Sequence, residues 1–491
     1  MNDQVKKQGY GFAKYPFIRL YKYTADEKTK KMKFEVEKQL LFGDYIRLIC
    51  DAAGPVTRTL NKKTYVKVSS RSEGYVLEKD ILPDRILEVN FIDVGQGDGC
   101  HLVTPDDRHF IIDAGAGDNM YRFLKWRFNL KKSKHAPPPF TAVVSHSDTD
   151  HYRGFGKVFS ATKGFAQQLK FDKIYHNGLV EISGKTLDSL GKLTGDKKFV
   201  TGLCDTNTQF KNLAGAQQKP GQYISTLLKS DAPKESLRHG HSPIYDKGNL
   251  LVEVAGPCPA TINGKDALPV FENDKGKTKN GNSVILKITM GHMRLLLGGD
   301  LNTSAEDYIL GYYSGKDVTG IREKLAAGGL TDAKRKDLEK ALETATGKAR
   351  AALNVDVAKS CHHGSSDFTS EFLLAMNPFC TVISSGDEES YAHPRPETLG
   401  AIGKYSRSDR PMIFSTELGR SSPEFIDLKE FTAAKKKERT VTVYGMINLR
   451  TDGNKAIIAQ KLEKKAKGRG WDIHCLEWSD SSKEWMVPKK K

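Results

Sequence analysis

The chain has 491 residues, 38% of them hydrophobic and 28% charged, with 77 Lys+Arg against 60 Asp+Glu and a net charge of +17. That length exceeds what one simple core organises, and 9% aromatic content belongs to a globular chain, not a disordered one. No apolar run reaches the roughly 18–20 residues of a membrane span, and the opening MNDQVKKQGYGFAKYPF lacks the apolar stretch of a signal peptide, so a soluble cytoplasmic protein is expected.

Residues 1–85 read as short β segments, at Tyr45–Ile49, Thr64–Val68 and Gly74–Leu77, separated by Gly-, Pro- and Lys-rich turns. They resemble a small SH3-like barrel. From Leu87 the character changes: LEVNFIDVG, CHLVT, HFIIDAG and TAVVSHSD are near-continuous apolar strands. FDKIYHNG, NLLVEVAGP, NSVILKITM, HMRLLLGGD, VDVAKSCHH and CTVISSGD follow, with helical stretches at about 118–130, 303–311 and 368–376. Buried strands interleaved with helices predict an α/β sandwich over residues 86–425. Two polar interruptions, about 185–248 and 314–352, read as insertions. The second is helical, with Thr331 as N-cap and Leu338 and Leu342 at i, i+4. Residues 426–491 read as a basic C-terminal extension with a β-hairpin around Thr451–Asn454.

The seven cysteines are scattered and never spaced C-x-x-C, which excludes a disulfide scaffold and a thiolate zinc knuckle. The positive excess is uneven: residues 431–470 hold 11 Lys+Arg against 3 Asp+Glu. On charge alone, a nucleic-acid partner and a merely solvated lysine-rich surface are equally compatible with this excess.

The chemistry concentrates in Ser145-His146-Ser147-Asp148-Thr149-Asp150-His151, a strand-to-helix loop with two imidazoles and two additional carboxylates. In an extended stretch His146 and Asp148 project to one side and can share a cation, while Asp150 and His151 diverge toward a second. This donor set suits zinc and tolerates manganese or iron. Further candidates stand at strand ends: Asp300 after Gly298-Gly299, His362-His363 before Gly364 and Ser365, and Asp113 in HFIIDAG.

Taken in order, FIDVGQGDG, IIDAG, SHSDTDH, NGNSVILKI, LLLGGDL, CHHGSS and YAHPRPETL resemble the metallo-β-lactamase-fold hydrolases, nearest to the soluble hydrolase domain of the competence protein ComEC. The resemblance covers about residues 87–415 and implies an αββα sandwich with two divalent ions, zinc or manganese. It implies that His146 and Asp148 hold one ion and Asp150 and His151 the other. Asp300 would bridge them, His363 would add a ligand with His362 beside it, and Asp113 would orient the loop. Asn282, Ser283, Ser365 and Gln96 become candidate substrate contacts, His393 a candidate proton donor, and Asp98 a supporting residue of the DVGQGD turn. Asp150 and Asp300 would act in catalysis through the ions. Asp148 stands where the wider family has a histidine, and the family's third histidine has no equivalent unless His176 serves. The reaction expected is phosphodiester hydrolysis, with DNA as substrate. The alternatives are a small-molecule hydrolase (a cyclic nucleotide, lactone or other ester) and a nucleic-acid-binding module with a degenerate site.

Overall fold

The structure is a computed structural model that describes residues 1–27, 29–95, 97–130, 136–160, 169–182, 184–386, 392–417, 446–466 and 468–488. Its centre is a pair of mixed sheets packed face to face. In the first, the strands run in the order Lys234–Ser236, Phe171–His176, Phe140–Val143, His109–Ala114, Gly99–Val103, Leu87–Phe91, Ile447–Thr451, Lys455–Ala466, Arg469–Ser479, Glu484–Met486. In the second the order is Tyr245–Lys247, Leu250–Gly256, Ile285–Met290, Met293–Leu297, Val357–Lys359, Cys380–Ile383, Met412–Ser415.

Strand periodicity explains the layering. Leu87, Val89 and Phe91 face Leu286, Ile288, Leu295 and Val357 in the inter-sheet core, while Glu88 and Asn90, on the same strand, point the other way. Met120, Phe123, Leu124, Phe155 and Val158 cover the outer face of the first sheet from short helices. Ala305, Ile309, Leu310, Ala345, Ala349 and Phe372 do the same for the second. The result is the expected αββα arrangement, with helix, sheet, sheet and helix as its four layers.

The long helix Asp332–Leu353 begins where expected: Thr331 Oγ1 accepts the Lys334 N–H at 3.4 Å. It buries Leu342, Ala345, Thr346, Ala349 and Leu353, a stripe at helical spacing. The polar stretch 185–248 is more than a surface insertion. Phe210, Tyr223, Ile224 and Leu227 enter the outer core of the first sheet, and Lys234–Ser236 pairs with Phe171–His176 as its edge strand. Four such side chains at roughly 1.5–3 kcal/mol each outweigh the polar composition.

The N-terminal region forms a sheet of its own from eight strands between Tyr10 and Leu82, around Leu20, Ile46, Val66, Val68 and Val76. The C-terminal region requires a correction. The expected hairpin exists, as Ile447–Thr451 and Lys455–Ala466, but it is not an extension beside the sandwich. Ile447–Thr451 pairs along its whole length with Leu87–Phe91, and Ile447, Leu449, Ala456 and Ile458 join the inter-sheet core. Most of the basic run before it, residues 418–445, lies outside the described residues. Among the described residues no helix is long and apolar enough to cross a membrane.

Candidate metal centre

Parallel pairing puts the carboxyl ends of successive strands at one edge of the sandwich, and that edge carries the site. From the first sheet, His109–Ala114 delivers Asp113, and Phe140–Val143 runs into the loop Ser145–Asp148 and the single-turn helix Thr149–Tyr152. From the second, Met293–Leu297 leads to Asp300 and Val357–Lys359 to the turn Cys361–Gly364. Two glycines make the approach possible. Gly97 has φ +101°, and a Cβ there would lie 1.8 Å from the Asp150 carbonyl oxygen; one on Gly299 (φ +59°) would lie 2.6 Å from Ser283.

Asp150, His151, Asp300 and His363 each bring one ligand atom into a set whose members all lie within 4.8 Å of one another. His151 Nε2 and His363 Nε2 are each 3.1 Å from Asp300 Oδ2, and His363 Nε2 is 3.5 Å from Asp150 Oδ2. Tetrahedral bonds of about 2.0–2.1 Å separate ligand atoms by about 3.3 Å, so these spacings suit one ion. Among the described residues His151 Nε2, His363 Nε2 and Asp300 Oδ1 are buried without a hydrogen-bond partner, an arrangement that a shared cation would satisfy.

The supporting contacts fix both rings. His151 Nδ1 donates to Asp113 Oδ2 at 2.8 Å, and Asp113 also accepts the Ser145 N–H at 2.7 Å and the Ser145 hydroxyl at 2.6 Å. His363 Nδ1 lies 3.0 Å from the Ser384 carbonyl oxygen and 3.2 Å from Asp98 Oδ1. Each imidazole therefore directs its other nitrogen at the shared space. His362 and His363 both have left-handed φ, 47° and 55°, a conformation that costs roughly 1–2 kcal/mol per residue and is held at His363 by those ring contacts.

Electrostatics agree with the geometry. Burial pushes the Asp300 carboxyl up, but His151 and His363 together outweigh it and hold the group well below the usual carboxylate range. Burial disfavours charge on His151, yet Asp300 and Asp113 raise it well above an ordinary histidine. For His363, Asp300 and Asp98 overcome burial in the same way. The carboxylates thus create a field that favours positive charge at the centre of the cluster.

His146 and Asp148 stand apart from the four. His146 Nδ1 is 3.0 Å from Ser145 Oγ and 3.2 Å from Ser283 Oγ, with its Nε2 3.7 Å from Asp148 Oδ2. The Asp148 carboxylate makes an ion pair with Lys279, which also pairs with Glu181 at 3.2 Å. Burial raises the Asp148 carboxyl, but His146 and Lys279 bring it down to about 2.

The other candidates divide. Asp98 supports His363 and pairs with Lys359. His362 and His393 sit beside the cluster, with the His393 ring centroid 5.8 Å from His362 and 6.4 Å from His363, half-buried. Ser365 is partly exposed and accepts the Asp367 N–H at 3.2 Å. Asn282 is buried and donates to the Pro269 and Thr278 carbonyl oxygens at 2.9 and 2.8 Å; the structure makes it a brace for the strand entry. Ser283, also buried, accepts the Asp300 N–H at 3.1 Å and supports His146. Gln96 lies outside the described residues. His176 is not in the cluster; its Nδ1 accepts the Gly178 N–H at 3.0 Å.

Sequence reasoning missed Lys359 and Lys279. Lys359 is buried between Asp98 and Asp300, its ammonium 3.7 Å from Asp300 Oδ1. A lysine ending the buried strand Val357–Lys359 was the available signal. Lys279, in KGKTKNG, offered none.

No family model matches the chain. It is 22% identical over 335 residues to ComE operon protein 3 of Bacillus subtilis (strain 168), covering 65% of this chain and 31% of that protein. The chain thus spans about a third of the relative's length. Among solved structures, Tm1679, described as a metal-dependent hydrolase of the beta-lactamase superfamily, overlaps 67% of this chain and 95% of its own at 10% identity. The TM-score of that overlap is 0.30.

Proposed function

We propose that this chain is a metal-dependent phosphodiesterase of the ComEC-like branch of the metallo-β-lactamase fold, with DNA as its substrate. The observation that carries the reading is the convergence of Asp150, His151, Asp300 and His363 on one space, with both Nε2 atoms buried and lacking a hydrogen-bond partner among the described residues. The similarity to ComE operon protein 3 supports the branch, and the net charge of +17 supports a polyanionic substrate.

Those four residues would hold a divalent ion, zinc or manganese. When bound there, such an ion supplies Lewis acidity toward a phosphoryl oxygen and acidifies a water toward neutral pH. Asp113 and Asp98 keep the protons of His151 and His363 on Nδ1, leaving Nε2 free to coordinate. Lys359 offsets the negative charge of Asp98 and Asp300. His393, half-buried beside the cluster, would give a proton to the leaving oxygen. A second ion on His146 and Asp148 would compete with Lys279, so we assign one tightly held ion to the wild type. Lys279 then supplies the second positive charge.

The test is cleavage of labelled single- and double-stranded DNA after chelation and re-addition of manganese or zinc, with Asp300→Ala and His146→Ala alongside. Metal-dependent cleavage is expected in the wild type, abolished in Asp300→Ala and reduced in His146→Ala. No cleavage by a wild type that demonstrably binds metal would overturn the DNA assignment and favour a small-molecule ester.

A further inference from the structure

A cavity of about 690 Å³ lies between the N-terminal sheet and the outer face of the first sandwich sheet. Its volume falls in the range of small-molecule sites, roughly 300–1,000 Å³. None of its lining residues belongs to the metal centre. His109 lines it at the start of the strand that carries Asp113 near its other end; four residues of strand span about 13 Å.

The walls carry more positive than negative charge. Arg450 pairs with Asp44 at 2.8 Å, Arg127 with Glu88 at 2.9 Å, and Arg85 with Asp107 at 2.9 Å. Lys38, Arg47 and Arg71 also line the cavity, and among the described residues none has a carboxylate within ion-pair distance. Two donors on the cavity wall are also unsatisfied. Among the described residues Asn448 Nδ2 and Arg450 Nε have no hydrogen-bond partner, on side chains 0% and 3% exposed. Both donors call for an acceptor that none of the described residues supplies.

Aromatic surface completes the wall. The Arg71 guanidinium lies over Trp126, 3.3 Å from the ring centroid, and Arg71 itself is exposed to the cavity side. The Lys461 ammonium lies 4.4 Å from the centroid of Trp471. A guanidinium plane backed by an indole is a platform on which a nucleobase stacks.

We propose that this cavity is a nucleotide-binding site separate from the metal centre, with phosphate oxygens received by Arg47, Lys38 and the Asn448 and Arg450 donors, and the base stacked on Arg71–Trp126. The nucleotide is either free or part of a strand. The inference does not depend on the hydrolase reading, because no metal-centre residue takes part.

The test uses the full chain and two probes, ATP with a fluorophore on its ribose and a labelled eight-residue oligothymidylate. Both are titrated in chelator into wild type, Asp300→Ala, Arg71→Asn and Arg47→Ala, with thermal unfolding confirming that each variant is folded. Asn tolerates the left-handed φ of 64° at position 71, and Arg47 is an exposed strand residue, so neither change should disturb folding. Saturable binding is expected in wild type and Asp300→Ala, and at least tenfold weaker in the two arginine variants. Binding of the ATP probe assigns a free nucleotide; binding of oligothymidylate that ATP fails to displace assigns a strand. The proposal is overturned if wild type binds neither probe or if both arginine variants bind like wild type. It is also overturned if pyrophosphate displaces the probe as well as ATP does, since the base would then contribute nothing.

Discussion

Replacing Asp113 by Asn tests whether the layer behind the cluster sets metal affinity. The position has φ 55°, which Asn tolerates, so backbone strain is not added. The carboxylate receives three hydrogen bonds: Ser145 N–H on Oδ1, and the Ser145 hydroxyl and His151 Nδ1 on Oδ2. An amide can imitate only one side of this. If its oxygen keeps the Ser145 N–H, its NH₂ faces His151 Nδ1 and drives the ring proton to Nε2, the atom needed for coordination. If it turns over, the buried Ser145 N–H loses its acceptor, at about 1–3 kcal/mol. Either outcome matches the 10–100-fold loss of affinity typical of such partners, equal to about 1.4–2.8 kcal/mol at 1.4 kcal/mol per decade. The assay is zinc titration against a chelator of known affinity, with Asp300→Asn as the control for ligand loss. A dissociation constant for Asp113→Asn within twofold of wild type would refute the reasoning.

Three further outcomes are expected. Burial lowers the buried His176 from its ordinary value to about 4, so between about 6.5 and 4 the unfolded chain binds the proton that the folded chain refuses. The stability that His176 contributes is therefore fully present above pH 6.5 and is lost as the pH falls toward 4, by about 3 kcal/mol in total. Denaturant unfolding at pH 7 and 4.5 should show a smaller acid loss in His176→Asn, and equal losses would contradict the assignment. Gly97→Ala would force a Cβ into the Asp150 carbonyl oxygen at a left-handed φ; a loss of at least 1–3 kcal/mol, read by thermal unfolding, is expected together with weaker metal binding. Elemental analysis after dialysis should find one ion per wild-type chain and a second taken up by Lys279→Ala, in which Asp148 loses its ammonium partner; two ions in the wild type would remove Lys279 from the site.

Local pattern was enough for much of this. The SHSDTDH loop, the strand-end Asp113 and Asp300 and the His362-His363 pair were legible because ligand-type residues were dense or stood at the ends of apolar strands. Thr331 marked its helix because capping is a local hydrogen bond. Long-range packing was not legible. The hairpin after residue 446 was visible from its alternation, but its pairing with Leu87–Phe91 links strands some 360 positions apart. Nothing local encodes such a register. For the same reason the polar stretch 185–248 concealed an edge strand of each sheet and core residues such as Phe210, Tyr223, Ile224 and Leu227.

The sequence alone determined which side chains have the chemistry to hold a cation and that apolar strands carry them. Only the tertiary structure decided which of them meet. Asp150, His151, Asp300 and His363 come together because two sheets present their strand ends at one edge, while Lys279 reaches Asp148 from a separate helix. Ligand identity is a property of single residues, whereas a shared site depends on distances fixed by the packing of elements remote in the chain.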